Sequence, residues 1–242
     1  MDKKKIIEKV RKLLELFISG KIPTLAIHEV HPDLKKSERL NYIYFTLPVS
    51  INFQRSSPSM WKSALATYND PETNLLFFPE KVVKLDEAEI MSLLTRHKLG
   101  LQRNKHTDIW IKISRTLNSF FEDDPRNIIK KGSNDVEKII ELLQKEMKKN
   151  FPYLSGPKLS NYWLYILSKY TDVKLENTHL ISIIPDTHIL QSTVKLGISE
   201  KILSPEKTEE LWRELLKDTG INPVEVHPVL WNWSRNNFQP EV

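Results

Sequence analysis

None of the 242 residues is a cysteine. That absence removes disulfides, thiol nucleophiles, thiolate zinc sites and cysteine-held iron–sulfur clusters together. Glycine is scarce, at six, and the fourteen prolines are scattered, which excludes fibrous and low-complexity chains. No stretch approaches the ~20 consecutive apolar residues of a membrane span. The histidines show no ligand spacing of the HExxH kind, so neither a metal nor a cofactor is expected.

What is present describes an ordinary globular chain, 40% hydrophobic with a mean hydropathy of -0.41. The length allows one large domain or two small lobes with real cores. The net charge is +5 and the isoelectric point about 9.1. This excess has the sign that suits a polyanion such as nucleic acid, although an inert basic surface fits the charge equally well. The start, MDKKKIIEKVRKLLELF, places Ile6, Val10, Leu13, Leu14 and Phe17 at helical spacing. Charges interrupt it throughout, so it reads as an amphipathic helix and not as a signal peptide. A soluble cytoplasmic protein is the default expectation.

Helical period dominates the rest. Gly20, Pro23 and HPDLKKSERL (31–40) mark breaks. Residues 41–53, NYIYFTLPVSINF, fit a buried helix or a strand, and 61–69 resume helical spacing. Helices are predicted over 86–97, with an acidic first turn, over 107–121, and over 134–149, capped by Asn134 or Asp135. Further helices are predicted over 160–170, apolar nearly all round, and over 205–220, where Pro205 and Gly220 punctuate the ends. The fold class is all-α, with one short strand expected near 76–84.

Two segments raise questions of chemistry. FPYLSGPKLSNYW (151–163) is a tight turn between helices, and Lys158 opens the second helix. Such a turn is expected to present amides outward, and helix N-termini attract phosphate. IIPDTHILQSTVKLGI (183–198) sets Asp186 before a helical pattern that closes at Gly197. Each has a bland reading. A first-turn lysine is usually solvated, and an aspartate in that place is usually an N-cap.

Taken together, the two resemble the helix-hairpin-helix DNA glycosylases, the superfamily of endonuclease III. YLSGPKLSN keeps that family's second hairpin glycine as Gly156, its lysine as Lys158 and its asparagine as Asn161. Asp186-Thr187-His188-Ile189, then Lys195-Leu196-Gly197, reproduce its aspartate segment without a gap. Gly100, Leu101 and Lys105 match a third motif. The C-terminal stretch TGINPVEVHPVLWNWSR (219–235) is similar to the archaeal 8-oxoguanine glycosylase/lyases, which also lack an iron–sulfur cluster. There are two departures. Leu154 stands for the first hairpin glycine, and His227 stands where that archaeal group places an acidic pocket residue.

The resemblance implies one glycosylase domain over 1–242 with two helical lobes and a DNA cleft between them. A central barrel lobe would span 34–180 and contain the hairpin. The second lobe would join 1–33 to 181–242. The implied activity is bifunctional DNA glycosylase and apurinic lyase, acting as a monomer on damaged double-stranded chromosomal DNA of an archaeal cell. The damaged base would be 8-oxoguanine. Alternatives are an oxidised pyrimidine, a deaminated base, or a DNA-binding module without catalysis. The base would be flipped out of the stack. Lys158 would attack C1′ as an uncharged amine, which burial beside a helix N-terminus would favour, and Asp186 would deprotonate it and offset charge on the sugar. Trp61, Trp231, His227 and Pro157 would form the base pocket. Gln54 would fill the gap left by the flipped nucleotide. Arg55, Arg103, Lys105, Ser155 and Gly156 would hold the DNA backbone.

Overall fold

The computed structural model describes residues 2–23, 29–183 and 185–242. Residues 24–28, within the expected 1–33 segment, and Ile184, two places before Asp186, lie outside the described residues. Among those described, the regular structure is helical throughout, apart from one isolated parallel bridge between Asp135 and Glu176. In chain order the helices are α1 (Lys3–Ile18), α2 (Arg39–Tyr44), α3 (Leu47–Ser50), α4 (Ser57–Asn69), α5 (Pro79–Val82), α6 (Glu87–Arg96) and α7 (Arg103–Phe121). Then come α8 (Arg126–Lys131), α9 (Val136–Glu141), α10 (Pro157–Tyr170), α11 (Thr187–Lys195), α12 (Pro205–Leu216) and α13 (Pro223–Arg235). No described helix is long and apolar enough to cross a membrane.

The strand expected near 76–84 is not there. A 3-10 turn, Asn74–Phe77, leads into α5, which begins on Pro79. Proline lacks the amide that a strand ladder needs and suits a first helical position, so the local chemistry favours a helix start. The ambiguous 41–53 segment resolves into α2 and α3, with Pro48 in the first turn of α3. Asp86 and Glu89 form a reciprocal capping box at the start of α6, which explains its sharp boundary. The helix predicted over 134–149 is shorter. Asp135 caps α9, and the chain then widens into a π-helical segment, Leu142–Glu146.

The chain divides into two compact units, Ile27–Glu176 and the pair Met1–Ala26 with Asn177–Val242; we call them the central and terminal units. The core of the central unit is aromatic. Tyr44, Phe45, Trp61, Phe77, Trp110 and Trp163 are all essentially inaccessible. Tyr44 and Phe77 stack with centroids 5.5 Å apart, and Trp61 tilts against Phe45 at 5.5 Å. Such pairs add ~0.5–1.5 kcal/mol each beyond the area they bury. The buried indoles are satisfied, Trp163 Nε1 donating to Thr46 Oγ1 at 2.9 Å and Trp110 Nε1 to the Leu76 carbonyl at 3.1 Å.

The core of the terminal unit is mostly aliphatic. The buried stripe of α1 is Ile6, Val10, Leu13 and Leu16, with Leu14 and Phe17 partly covered. It belongs to one cluster with Ile189, Leu215, Val229 and Leu230 from the last three helices. Trp212 is fixed within it by a 2.9 Å bond from Nε1 to Thr193 Oγ1.

Candidate functional site

The hairpin before α10 is held by two apolar anchors, Phe151 and Leu154, both fully buried. Its amides do not face outward as expected. Leu154 N–H donates to the Pro152 carbonyl at 2.7 Å, Ser155 to Phe151 at 2.8 Å and Gly156 to Tyr153 at 2.9 Å. The turn is too tight to leave them free. Nor does the left-handed residue fall on Leu154. Tyr153 holds that conformation, with φ 62°, so replacement of a glycine by Leu154 strains nothing there. Gly156 is needed for space: a Cβ on it would lie 3.1 Å from the Tyr153 carbonyl oxygen.

What remains open is the start of α10 itself. No side chain caps it, Gly156 having none to offer, and Pro157 occupies the first turn. Gln144 Nε2 ties the preceding π-helical segment to Ser160 Oγ at 2.9 Å, and Asn161 Nδ2 donates to the Pro157 carbonyl at 2.8 Å. Pro157 and Lys158 are both exposed. The burial expected for Lys158 is therefore absent, because it points from the helix start away from the apolar run that buries Leu159, Trp163 and Leu164.

Asp186 is the N-cap of α11. Its Oδ1 accepts from His188 N–H at 2.9 Å and from Ile189 N–H at 3.0 Å. Both bonds use one oxygen, and no bond to Oδ2 is found among the described residues. The carboxylate is half-buried. The next turn is pinned to α13: Ser192 Oγ donates to the Leu230 carbonyl at 3.1 Å, and His188 Nδ1 pairs with Ser234 Oγ at 3.2 Å. Trp231, half-buried on α13, meets His188 edge-on at 5.4 Å and carries the Arg235 guanidinium 4.6 Å from its ring centroid. His227 lies one turn earlier on the same helix, also half-buried. Thus Asp186, Trp231 and His227 share two packed helices of the terminal unit. A cavity of about 690 Å³ in that unit, lined by His179, Trp212, Arg213 and Asn222 among others, contains none of them.

Trp61, expected in the base pocket, belongs to the central unit. It is 1% exposed, inside the aromatic core of the central unit. A polar network that the sequence did not reveal fixes its edge. Trp61 Nε1 donates to Tyr162 Oη at 2.9 Å, and Tyr162 donates in turn to Glu29 Oε1 at 3.2 Å. Tyr170 donates to Glu29 Oε2 at 2.6 Å, and Lys169 Nζ lies 3.5 Å from that same oxygen. Burial first, and then the Glu29 charge, pushes both phenols well above the usual tyrosine range. They therefore stay protonated donors to the carboxylate.

The residues expected on the DNA backbone come together in the central unit. Gln54, exposed and with φ 51°, accepts from Gln102 Nε2 at 3.1 Å. Arg55 donates to the Leu99 carbonyl at 2.5 Å and to Lys98 at 3.2 Å. Burial lowers its guanidinium to about 10, which leaves it charged at neutral pH. Arg103 and Lys105 lie exposed in the first turn of α7. Lys105 Nζ approaches Phe53 and Tyr153, two rings stacked 4.0 Å apart. Three segments far apart in sequence, 53–55, 98–105 and the hairpin turn, therefore form one face. Phe53 and Tyr153 were not anticipated, although an aromatic inside a tight turn was a visible oddity.

No protein-family model matches the chain, and neither does any curated protein.

Proposed function

We propose that the chain is a bifunctional DNA N-glycosylase and apurinic lyase with the helix-hairpin-helix glycosylase fold, acting on 8-oxoguanine. The observation that carries the reading is the convergence of 53–55, 98–105 and the hairpin turn into one face. It is basic through Arg55, Lys98, Arg103 and Lys105, and Lys158 stands exposed at an uncapped helix start five residues after Tyr153. Uncapped helix amides favour a phosphate, so the helix start that would hold the DNA strand also carries the amine.

Lys158 Nζ, as the free amine, forms a bond to C1′ while the C1′–N glycosidic bond breaks and its electron pair leaves with the base, which gains a proton. Asp186 accepts a proton from the amine and offsets the positive charge developing on the sugar. Opening of the sugar ring breaks the C1′–O4′ bond, the proton held by Asp186 passes to O4′, and a protonated Schiff base results. Loss of a C2′ proton expels the 3′ phosphate, and water then releases the lysine. Lys158 lies in the central unit and Asp186 in the terminal unit.

The test is a panel of lesion duplexes incubated with the protein and borohydride, which reduces the Schiff base to a stable adduct. An adduct on the 8-oxoguanine duplex that disappears in Lys158→Ala is the expected result. Adducts on an oxidised-pyrimidine or deaminated-base duplex instead would keep the reaction and change the base. Steeply salt-dependent binding with no adduct on any duplex would make this a DNA-binding module.

A further inference from the structure

We infer that Phe53 and Tyr153 form a stacking platform for one unpaired nucleobase, that of the nucleotide left opposite the flipped one; this rests on the glycosylase reading. Two aromatic rings from segments a hundred residues apart are stacked at 4.0 Å and 12°. Tyr153 is 39% exposed, so one face is spent on Phe53 while a large part of the residue faces water. A bulky side chain with φ 62° is an uncommon arrangement that glycine would satisfy without strain. Anchoring the hairpin does not require it, since Phe151 and Leu154 are the buried anchors.

The surroundings select a nucleic acid as the occupant. Lys105 Nζ lies 4.9 and 4.7 Å from two centroids that are themselves 4.0 Å apart. A point nearly equidistant from two stacked rings sits beside the stack, so the ammonium borders the platform and does not cap it. It is placed to meet a phosphate flanking a stacked base. Leu101, 54% exposed, adds apolar surface on the neighbouring loop, next to the Gln102 that bonds Gln54. On the inner side, His106 is 1% exposed and packs edge-on to Phe53 at 5.1 Å. Burial, then the nearby Arg55 charge, lowers it to about 4, so it is a neutral support and adds no charge behind the rings. Every base has a π-face, so such a platform accepts any unpaired base, and a flipped nucleotide leaves one such base behind.

The experiment uses the full chain and two duplexes. One places 2-aminopurine opposite a tetrahydrofuran abasic analogue, and the other is fully paired. Wild type is expected to bind the first more tightly and to quench its fluorescence. Tyr153→Gly removes the ring and suits the left-handed turn. It should lose about tenfold in affinity for the unpaired duplex, with little change on the paired one, while Tyr153→Phe keeps both affinity and quenching. Phe53→Leu, which removes the other ring, should reproduce the loss independently, and melting temperatures verify that each variant is folded. Equal loss on both duplexes, or wild-type behaviour of both Tyr153→Gly and Phe53→Leu, overturns the platform. If Tyr153→Gly and Phe53→Leu behave as wild type while Lys158 is still trapped by borohydride, the platform alone fails and the glycosylase reading stands. Wild-type protein that binds neither duplex ends both.

Discussion

The starts of α10 and α11 pose the same physical problem and answer it in opposite ways. Each exposes first-turn amides that the helix itself leaves without partners. At α11 a carboxylate satisfies two of them, and Asp186 Oδ1 is thereby fixed to about 3 Å from two N–H groups. At α10 the cap is Gly156, which has no side chain to offer, and the cation Lys158 stands in the first turn. One start neutralises its dipole with an internal anion. The other leaves its positive end open and adds a positive charge, an arrangement that lowers helix stability locally and makes sense if an external anion completes it. The difference separates the two groups: the α11 carboxylate is held in place by two amides, whereas the α10 lysine lies exposed at the helix start.

The largest way to break this comparison is to remove the amine. Lys158→Ala is expected to abolish both the borohydride adduct and strand cleavage, and Lys158→Gln to retain at most slight base release without cleavage; gel analysis of trapped and cleaved products reads both. Trapping as efficient as in wild type would sink the assignment.

Next comes Asp186→Asn. Asparagine caps about as well as aspartate, so folding should be unchanged, and DNA affinity should hold or rise with one negative charge removed. Single-turnover rate should nevertheless fall by ~10²-fold or more, because stabilisation of the developing positive charge is lost. A rate within about threefold of wild type, far short of that loss, returns Asp186 to being a cap alone.

A smaller effect follows from making α10 resemble α11. Gly156→Asp puts a capping carboxylate where an external phosphate is proposed to sit. Affinity for a lesion duplex should drop roughly fivefold, with a shallower dependence on salt. The tight 3.1 Å approach to the Tyr153 carbonyl means that Gly156→Ala must be measured beside it, to separate crowding from charge. Fluorescence anisotropy at several salt concentrations distinguishes them.

The smallest expected change tests the cap itself. Asp186→Ala should cost ~1 kcal/mol of stability, against a few tenths or less for Asp186→Asn, read as the difference between their melting curves. Equal melting temperatures for the two would show that the Oδ1 bonds contribute nothing to folding.

Much of the helical order was legible along the chain because capping and periodicity are local. Asp86 with Glu89, Asp135, Pro205 and the stripe of α1 each declare an element through neighbours within a turn. Asp186 was legible as a cap for the same reason. The strand expected near 76–84 failed because Pro79 has no amide for a strand ladder and suits a first helical position. The π-helical segment at Leu142–Glu146 left no mark in the composition. Around the candidate site, Lys158 was singled out by its place after Gly156, but its exposure was not legible, because exposure depends on which side of α10 the core takes.

The sequence by itself determined that this protein is all-α, cysteine-free and basic, and that a lysine and an aspartate open two of its helices. These follow from bonds and patterns spanning a few residues. Only the tertiary structure decided that Trp61 lies in the core, tied through Tyr162 to Glu29, and that Tyr153 stacks on Phe53 beside Lys105. Those outcomes depend on packing between segments fifty to a hundred or more residues apart, where shape and burial choose among partners that local chemistry leaves equal.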